Sequence, residues 1–166
     1  KAGNAYAKAV ALSPDNGYVL NAFAAHLCQK GLYAQADANF IKATADTNYP
    51  MSYEAFENAS QCSLKNNDLP LAEHHARAAL SLNPESISAL EAMAQIKFKQ
   101  SSFFEARAFI QRREALAPLS VSLLQVAQQI EKAAGDDRAA SQYQKQLDIL
   151  LQAQIQPPTG EGQKKP

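Results

Sequence analysis

The sequence predicts an all-α chain built as a stack of antiparallel helix pairs, and three observations predict it. Of 166 residues, 32 are Ala and 16 are Gln, against 6 Gly, 8 Pro and no Trp, a bias toward residues that form helices readily. Ala36, Ala72, Ala106 and Ala140 stand 36, 34 and 34 residues apart, and Pro84 and Pro118 repeat at a spacing of 34. A fixed period of that length is the signature of stacked helical units. Within each unit, apolar residues recur at three- and four-residue intervals on both sides of a turn, the stripe of an amphipathic helix.

Taken in order, residues 1–14 read as the second helix of a truncated unit, with Ala5, Ala9 and Leu12 in one stripe and Ser13-Pro14 as the stop. So short a helix is marginal alone, so its stripe is expected to face a helix upstream of Lys1, and in its absence the stripe offers a route to dimers. Residues 15–50 place Leu20, Phe23 and Ala24 on a first helix, Lys30-Gly31 at a turn, and Ala36, Phe40 and Ala43 on a second. This unit has two extra residues, in the Thr47-Asn48-Tyr49-Pro50 linker. Residues 51–84 repeat the pattern as Phe56, Ala59 and Ser60, then Asn66-Asn67-Asp68, then Ala72, Ala76 and Ala79. Residues 85–118 give Leu90, Met93 and Ala94, then Ser101-Ser102, then Ala106 and Ile110, with Arg113 where the earlier units have a small residue. Residues 119–155 form a degenerate capping unit turning at Gly135-Asp136. The Pro- and Gly-containing stretch 156–166 lacks large apolar side chains and is expected to be disordered. The turn residues accept a left-handed conformation or cap the next helix, and the small ones let paired helices approach closely.

Sixteen basic and sixteen acidic residues cancel, so no global field draws the chain to nucleic acid. No stretch reaches the roughly 18 apolar residues of a membrane span. Phosphate-loop, nucleophile-elbow, zinc-protease and Cys-x-x-Cys motifs are absent, and no catalytic residue, cofactor or metal site is expected. His26, His74 and His75 are expected to be solvated or partly packed. A zinc site from His26, Cys28, Cys62 and His74 would match no familiar ligand spacing. Cys28 and Cys62 fall late on adjacent first helices at nearly equal heights. A disulfide is feasible there in an oxidising compartment; two buried free thiols are the other reading.

Opposite the packing stripe, the first helices show a second repeat. Glu57, Gln61 and Lys65 are followed 34 residues on by Glu91, Gln95 and Lys99. Asn21, Ala25 and Gln29 precede them, Gln125 and Gln129 follow, and Tyr18, Leu64 and Phe98 flank them. Residues four apart share a helix face, so stacked units would line a concave wall of the kind repeat proteins use to hold a partner segment. A merely solvated face is the alternative for any single residue.

These residues resemble the tetratricopeptide repeat over residues 2–150, which implies an α-solenoid forming a right-handed superhelix. Chaperone-binding members of that family hold terminal carboxylates with basic and Asn side chains, whereas Glu57 and Glu91 stand at the matching places here. An acidic C-terminus is therefore expected to be repelled. Several strings are similar to the PilF/PilW lipoproteins of type IV pilus biogenesis: Leu20-Asn21-Ala22-Phe23, the Tyr49-Pro50 linker after a shortened acidic turn, Phe56-Glu57-Asn58-Ala59, Leu123-Leu124, and Ala139-Ala140-Ser141 with Tyr143. The cysteine pair looks like the branch of that family with both thiols. The resemblance implies a periplasmic scaffold, tied to the outer membrane by a lipid on a cysteine upstream of Lys1, that binds the pilus secretin or another pilus subunit. A generic repeat adaptor in another envelope or cytosolic complex is the alternative, and the substrate-holding arm of a larger enzyme a third reading.

Overall fold

A computed structural model describes residues 2–155, and among them the secondary structure is entirely helical. The helices are α1 (Ala2–Leu12), α2 (Gly17–Gln29), α3 (Tyr33–Thr44), α4 (Ser52–Lys65), α5 (Leu69–Leu82), α6 (Ile87–Lys99), α7 (Phe103–Glu114), α8 (Val121–Ala134) and α9 (Asp137–Ile155). The stretch 156–166, expected to be disordered, lies outside the described residues. The chain divides into two compact units, one ending at Ala117 and the other starting at Pro118. No described helix is long and apolar enough to cross a membrane.

Each helix pair turns in the same way. Gly31, Asn67, Ser101 and Gly135 take positive φ, from 56° to 76°. In each turn the following amide donates to a carbonyl five residues back: Leu32 to Leu27, Asp68 to Ser63, Ser102 to Lys97 and Asp136 to Glu131, at 2.8–3.0 Å. This double-bonded helix stop satisfies carbonyls that would otherwise be orphaned. Helix starts are capped from the sequence: Asn16, Asp68, Ser86 and Ser120 accept from the amides of Val19, Leu71, Ala89 and Leu123.

In the first unit, the small residues sit where helices meet. Ala24, Ala36, Ala59, Ala72, Ala94 and Ala106 are all buried, and Ser60 Oγ donates to the Ala72 carbonyl at 2.9 Å. Larger side chains fill the layers between them. Leu27, Phe40, Cys28 and Cys62 join Ala24, Ala36 and Ala59 in one cluster, and Met93 and Ile96 join Ala72 and Ala76 in another. Cys28 and Cys62 form a disulfide linking α2 to α4, with Cα atoms 5.8 Å apart.

The linker insertion builds a plug. Tyr49 is buried with Leu20, Ala43 and Ala55, and its ring lies so close to Gly17 that a Cβ there would stand 2.6 Å away. Asp46 accepts from the amides of Gly17 and Asn48, both at 2.8 Å. These bonds, that from Gly17 first, hold its carboxyl below the usual range.

One sequence expectation changes, that for His75, and two features gain partners the sequence did not name. On α1, Tyr6 meets α2, with its ring against Phe23 and His26, and Val10 packs on the Leu20 cluster. Of the stripe expected to face an upstream helix, Ala5 is exposed, Ala9 half-buried and Leu12 85% exposed; the larger Tyr6 and Val10 remove more apolar area from water, so their face turns toward α2. His75, expected to be solvated or partly packed, is 1% exposed and its Nε2 lies 2.7 Å from Asp37 Oδ1. Arg113 is accommodated at a buried position because its guanidinium donates to Glu91 at 2.9 Å and to the Ala117 carbonyl at 2.8 Å.

The second unit is a helix pair on its own core. Leu123, Leu124, Ala127 and Ile130 of α8 are buried, as are Ala140 and Leu147 of α9. A Gln128–Gln144 side-chain bond crosses the pair.

Candidate partner-binding face

In the first unit, α2 touches α4 and α4 touches α6, so the first helices of three pairs lie side by side. Residues four apart on one helix then stand in rows that recur on the next. The rows are not equivalent.

The row at the helix starts is engaged in holding the stack. Asn21 Nδ2 donates to Tyr49 Oη at 2.9 Å, and Asn58 Nδ2 donates to Asn21 Oδ1 at 3.0 Å. Ser86 Oγ, already the cap of α6, donates to Glu57. Burial pushes the Glu57 carboxyl above its ordinary value, and the Ser86 bond pulls the other way. Glu91 accepts from the buried Arg113. Tyr18 is 52% exposed and stands edge-on to Tyr49, ring centres 4.6 Å apart.

Gln61 and Gln95 form the middle row and are half-buried; Gln29, Lys65 and Lys99 form the late row and are exposed. Leu64 and Phe98, half-buried, stand beside the lysines, and Phe98 meets the Phe103 ring at 5.8 Å. Gln125 and Gln129 are exposed on α8 in the second unit. Reading each helix by itself missed Tyr49, Asn58, Ser86 and Arg113, the partners of the first row. Only the Ser86 capping position had a sequence signal, Ser ahead of an apolar run.

A cleft opens where α3, α4 and α5 meet. Its volume is about 270 Å³, and it is lined by Tyr33, Asp37, Phe40, Cys62, Ser63 and Asp68, among others. It falls below the roughly 300–1,000 Å³ of small-molecule pockets. Beside it, His75 is buried, its Nδ1 has no hydrogen-bond partner among the described residues, and burial pushes its pKa down against the pull of Asp37. Further along the stack, buried Lys97 bonds Glu73 at 2.8 Å and Glu105 at 3.0 Å. Burial pushes Glu73 up, but Lys97, Arg77 and Gln100 outweigh it and hold the carboxyl at about 2. Among the described residues no group of three or more His, Cys, Asp or Glu could hold a metal ion. The first-helix face itself presents amide, ammonium and apolar groups on a helical surface.

Comparison with known proteins agrees with this architecture. No family model matches the chain. The type IV pilus assembly protein PilF of Pseudomonas aeruginosa is 30% identical over 104 residues, which are 63% of this chain and 41% of that protein. The chain thus spans less than half the length of that curated relative. The crystal structure of PilW, described as a widely conserved type IV pilus biogenesis factor, superposes with a TM-score of 0.79 and 28% identity, over 88% of this chain and 67% of that one. The P. aeruginosa PilF structure superposes with a TM-score of 0.77 and 25% identity, over 93% and 67%. MamA, at 17% identity and a TM-score of 0.78 over 93% of this chain and 89% of that one, shares the fold. The fold is that of a tetratricopeptide-repeat α-solenoid.

Proposed function

We propose that this PilF/PilW-like tetratricopeptide-repeat protein is a non-catalytic scaffold for type IV pilus biogenesis. On this reading it works in the periplasm, anchored to the outer membrane through a lipid upstream of Lys1. Its first-helix face holds a segment of the pilus secretin or another pilus subunit, aiding that component's localisation, assembly or stability. The observation that carries the reading is the likeness to PilW over 88% of the chain, in sequence as well as fold. The unpartnered middle and late rows support it, because rigid stacked helices pre-order a surface and lower the entropic cost of capture. The disulfide fits an oxidising compartment.

The test is a clean deletion complemented with wild-type or face-altered protein. Deletion should reduce surface pili or secretin multimers, and a Gln61→Glu, Lys65→Glu, Gln95→Glu, Lys99→Glu variant should fold but fail to restore them. Unchanged piliation and unchanged secretin multimers in the deletion strain would refute the proposal.

A further inference from the structure

We infer that the first-helix face of the first unit takes an extended protein segment with carboxylates three residues apart, received by Lys65 and Lys99. The inference rests on the partner-binding reading of that face and names the partner's chemistry.

Availability is the first step. Glu57 and Glu91 are bound to Ser86 and Arg113, whereas Gln61, Lys65, Gln95 and Lys99 have no side-chain partner among the described residues. Lys65 and Lys99 put exposed positive charge at the late ends of α4 and α6, while Asp68, the carboxylate that follows Lys65, is engaged in capping α5 through the Leu71 amide at 3.1 Å. The acidic starts do not cancel that positive charge. Glu57 lies eight residues before Lys65, about 12 Å along the helix at 1.5 Å per residue, and the Debye length at physiological salt is about 8 Å. The repulsion of an acidic partner expected from the sequence is therefore confined to the helix starts.

Spacing sets the register. Packed neighbouring helices stand about 8–10 Å apart, so Lys65 to Lys99, Gln61 to Gln95 and Leu64 to Phe98 each make one such step. A polyproline-II segment rises about 3.1 Å per residue and returns to the same edge every three residues, about 9.3 Å on. A partner helix could also match the step, but its backbone groups bond internally. The extended segment leaves its N–H and C=O groups open to Gln61 and Gln95, whose amides both donate and accept. Half-buried Leu64 and Phe98 then take an apolar side chain from the adjacent edge.

The probe is a fluorescein-labelled peptide of three Glu-Pro-Leu repeats, titrated into the full chain by anisotropy and by ¹⁵N correlation spectra. Binding should shift Gln61, Lys65, Gln95 and Lys99, weaken with salt, and weaken about tenfold or more in a K65A/K99A variant. Both lysines are exposed, so circular dichroism should show that variant folded. Moving the carboxylates to every fourth position should weaken binding comparably; equal affinity would overturn the register. Equal binding of a Lys-Pro-Leu peptide at the same residues would overturn the acidic chemistry while leaving the face. If no peptide binds yet the face variant still abolishes piliation, the face stands and this occupant falls. Phosphatidylglycerol vesicles that bind wild type and not K65A/K99A would overturn it in favour of a lipid surface.

Discussion

Reducing the Cys28–Cys62 bond should loosen the front of the stack far more than the rest. The bond spans 34 residues of sequence, and the chain-entropy relation gives about 3.8 kcal/mol for a loop of that size at 25 °C. The enclosed segment runs through late α2, all of α3, the Tyr49 linker and most of α4. In a repeat stack, stability is close to a sum of each unit and its neighbour contacts, so the loss should fall on α1–α4 rather than spread evenly. At a urea dependence of about 2 kcal/mol per molar, the front of the chain should unfold about 1–2 M earlier after reduction. The assay is urea unfolding of oxidised and reduced protein with hydrogen exchange read helix by helix. Reduction retains both sulfurs in the cluster with Ala24, Leu27, Phe40 and Ala59. A C28A/C62A variant adds the cost of the lost sulfurs, so the difference between the two separates loop closure from packing. An unchanged midpoint on reduction, with no added exchange in α2 and α3, would refute the reasoning.

Gly17→Ala should cost about 1–3 kcal/mol by overpacking, because its Cβ would meet the Tyr49 ring at 2.6 Å; thermal melting checks this, and the cost should shrink in a Tyr49→Ala background. Arg113→Ala removes bonds to Glu91 and the Ala117 carbonyl from a buried site and should cost about 3–5 kcal/mol, whereas R113M/E91L should recover much of it in the same urea titration. The Glu73 carboxyl sits at about 2 in the folded chain, below its unfolded value, so its contribution is full above about pH 4.3 and is lost as pH falls toward 2. Glu73→Gln should flatten that part of a stability–pH curve. His75, lowered by burial, binds protons more readily unfolded, so stability should fall as pH drops below about 6.5; His75→Gln should remove that slope.

Much of the fold was legible because repetition converts packing into spacing. Ala36, Ala72, Ala106 and Ala140 mark the period, and all four are buried. The left-handed turn residues fall at the pair turns read from Lys30-Gly31 through Gly135. What escaped depends on partners distant in sequence. The linker insertion could be located by counting, but that Tyr49 seals Gly17 needs the two brought together across 32 residues of chain. Glu57 and Lys65 look alike on a helical projection, yet Ser86, 29 residues on, claims one of them. On α1, the stripe of Ala5, Ala9 and Leu12 gave no sign of the contact with α2, which Tyr6 and Val10 make from another face.

The distribution of links says how the face is held. α2 and α4 are joined at both ends, by Asn21–Asn58 near their starts and by the disulfide near their ends. Asn58 reaches back to α2 while its neighbour Glu57 reaches forward to the start of α6, so one turn of α4 ties three first helices together. At their late ends no such bond joins α4 directly to α6 among the described residues, and the end of α6 is held instead to α5 and α7, by Lys97 and Gln100 on Glu73 and by Lys97 on Glu105. Lys65, Leu64, Lys99 and Phe98 stand at these late ends. A partner segment would therefore meet a surface whose early edge is tied between the first helices and whose late edge, at α6, is held from the second helices behind it. Such an arrangement keeps the entropic cost of ordering low when a partner is captured.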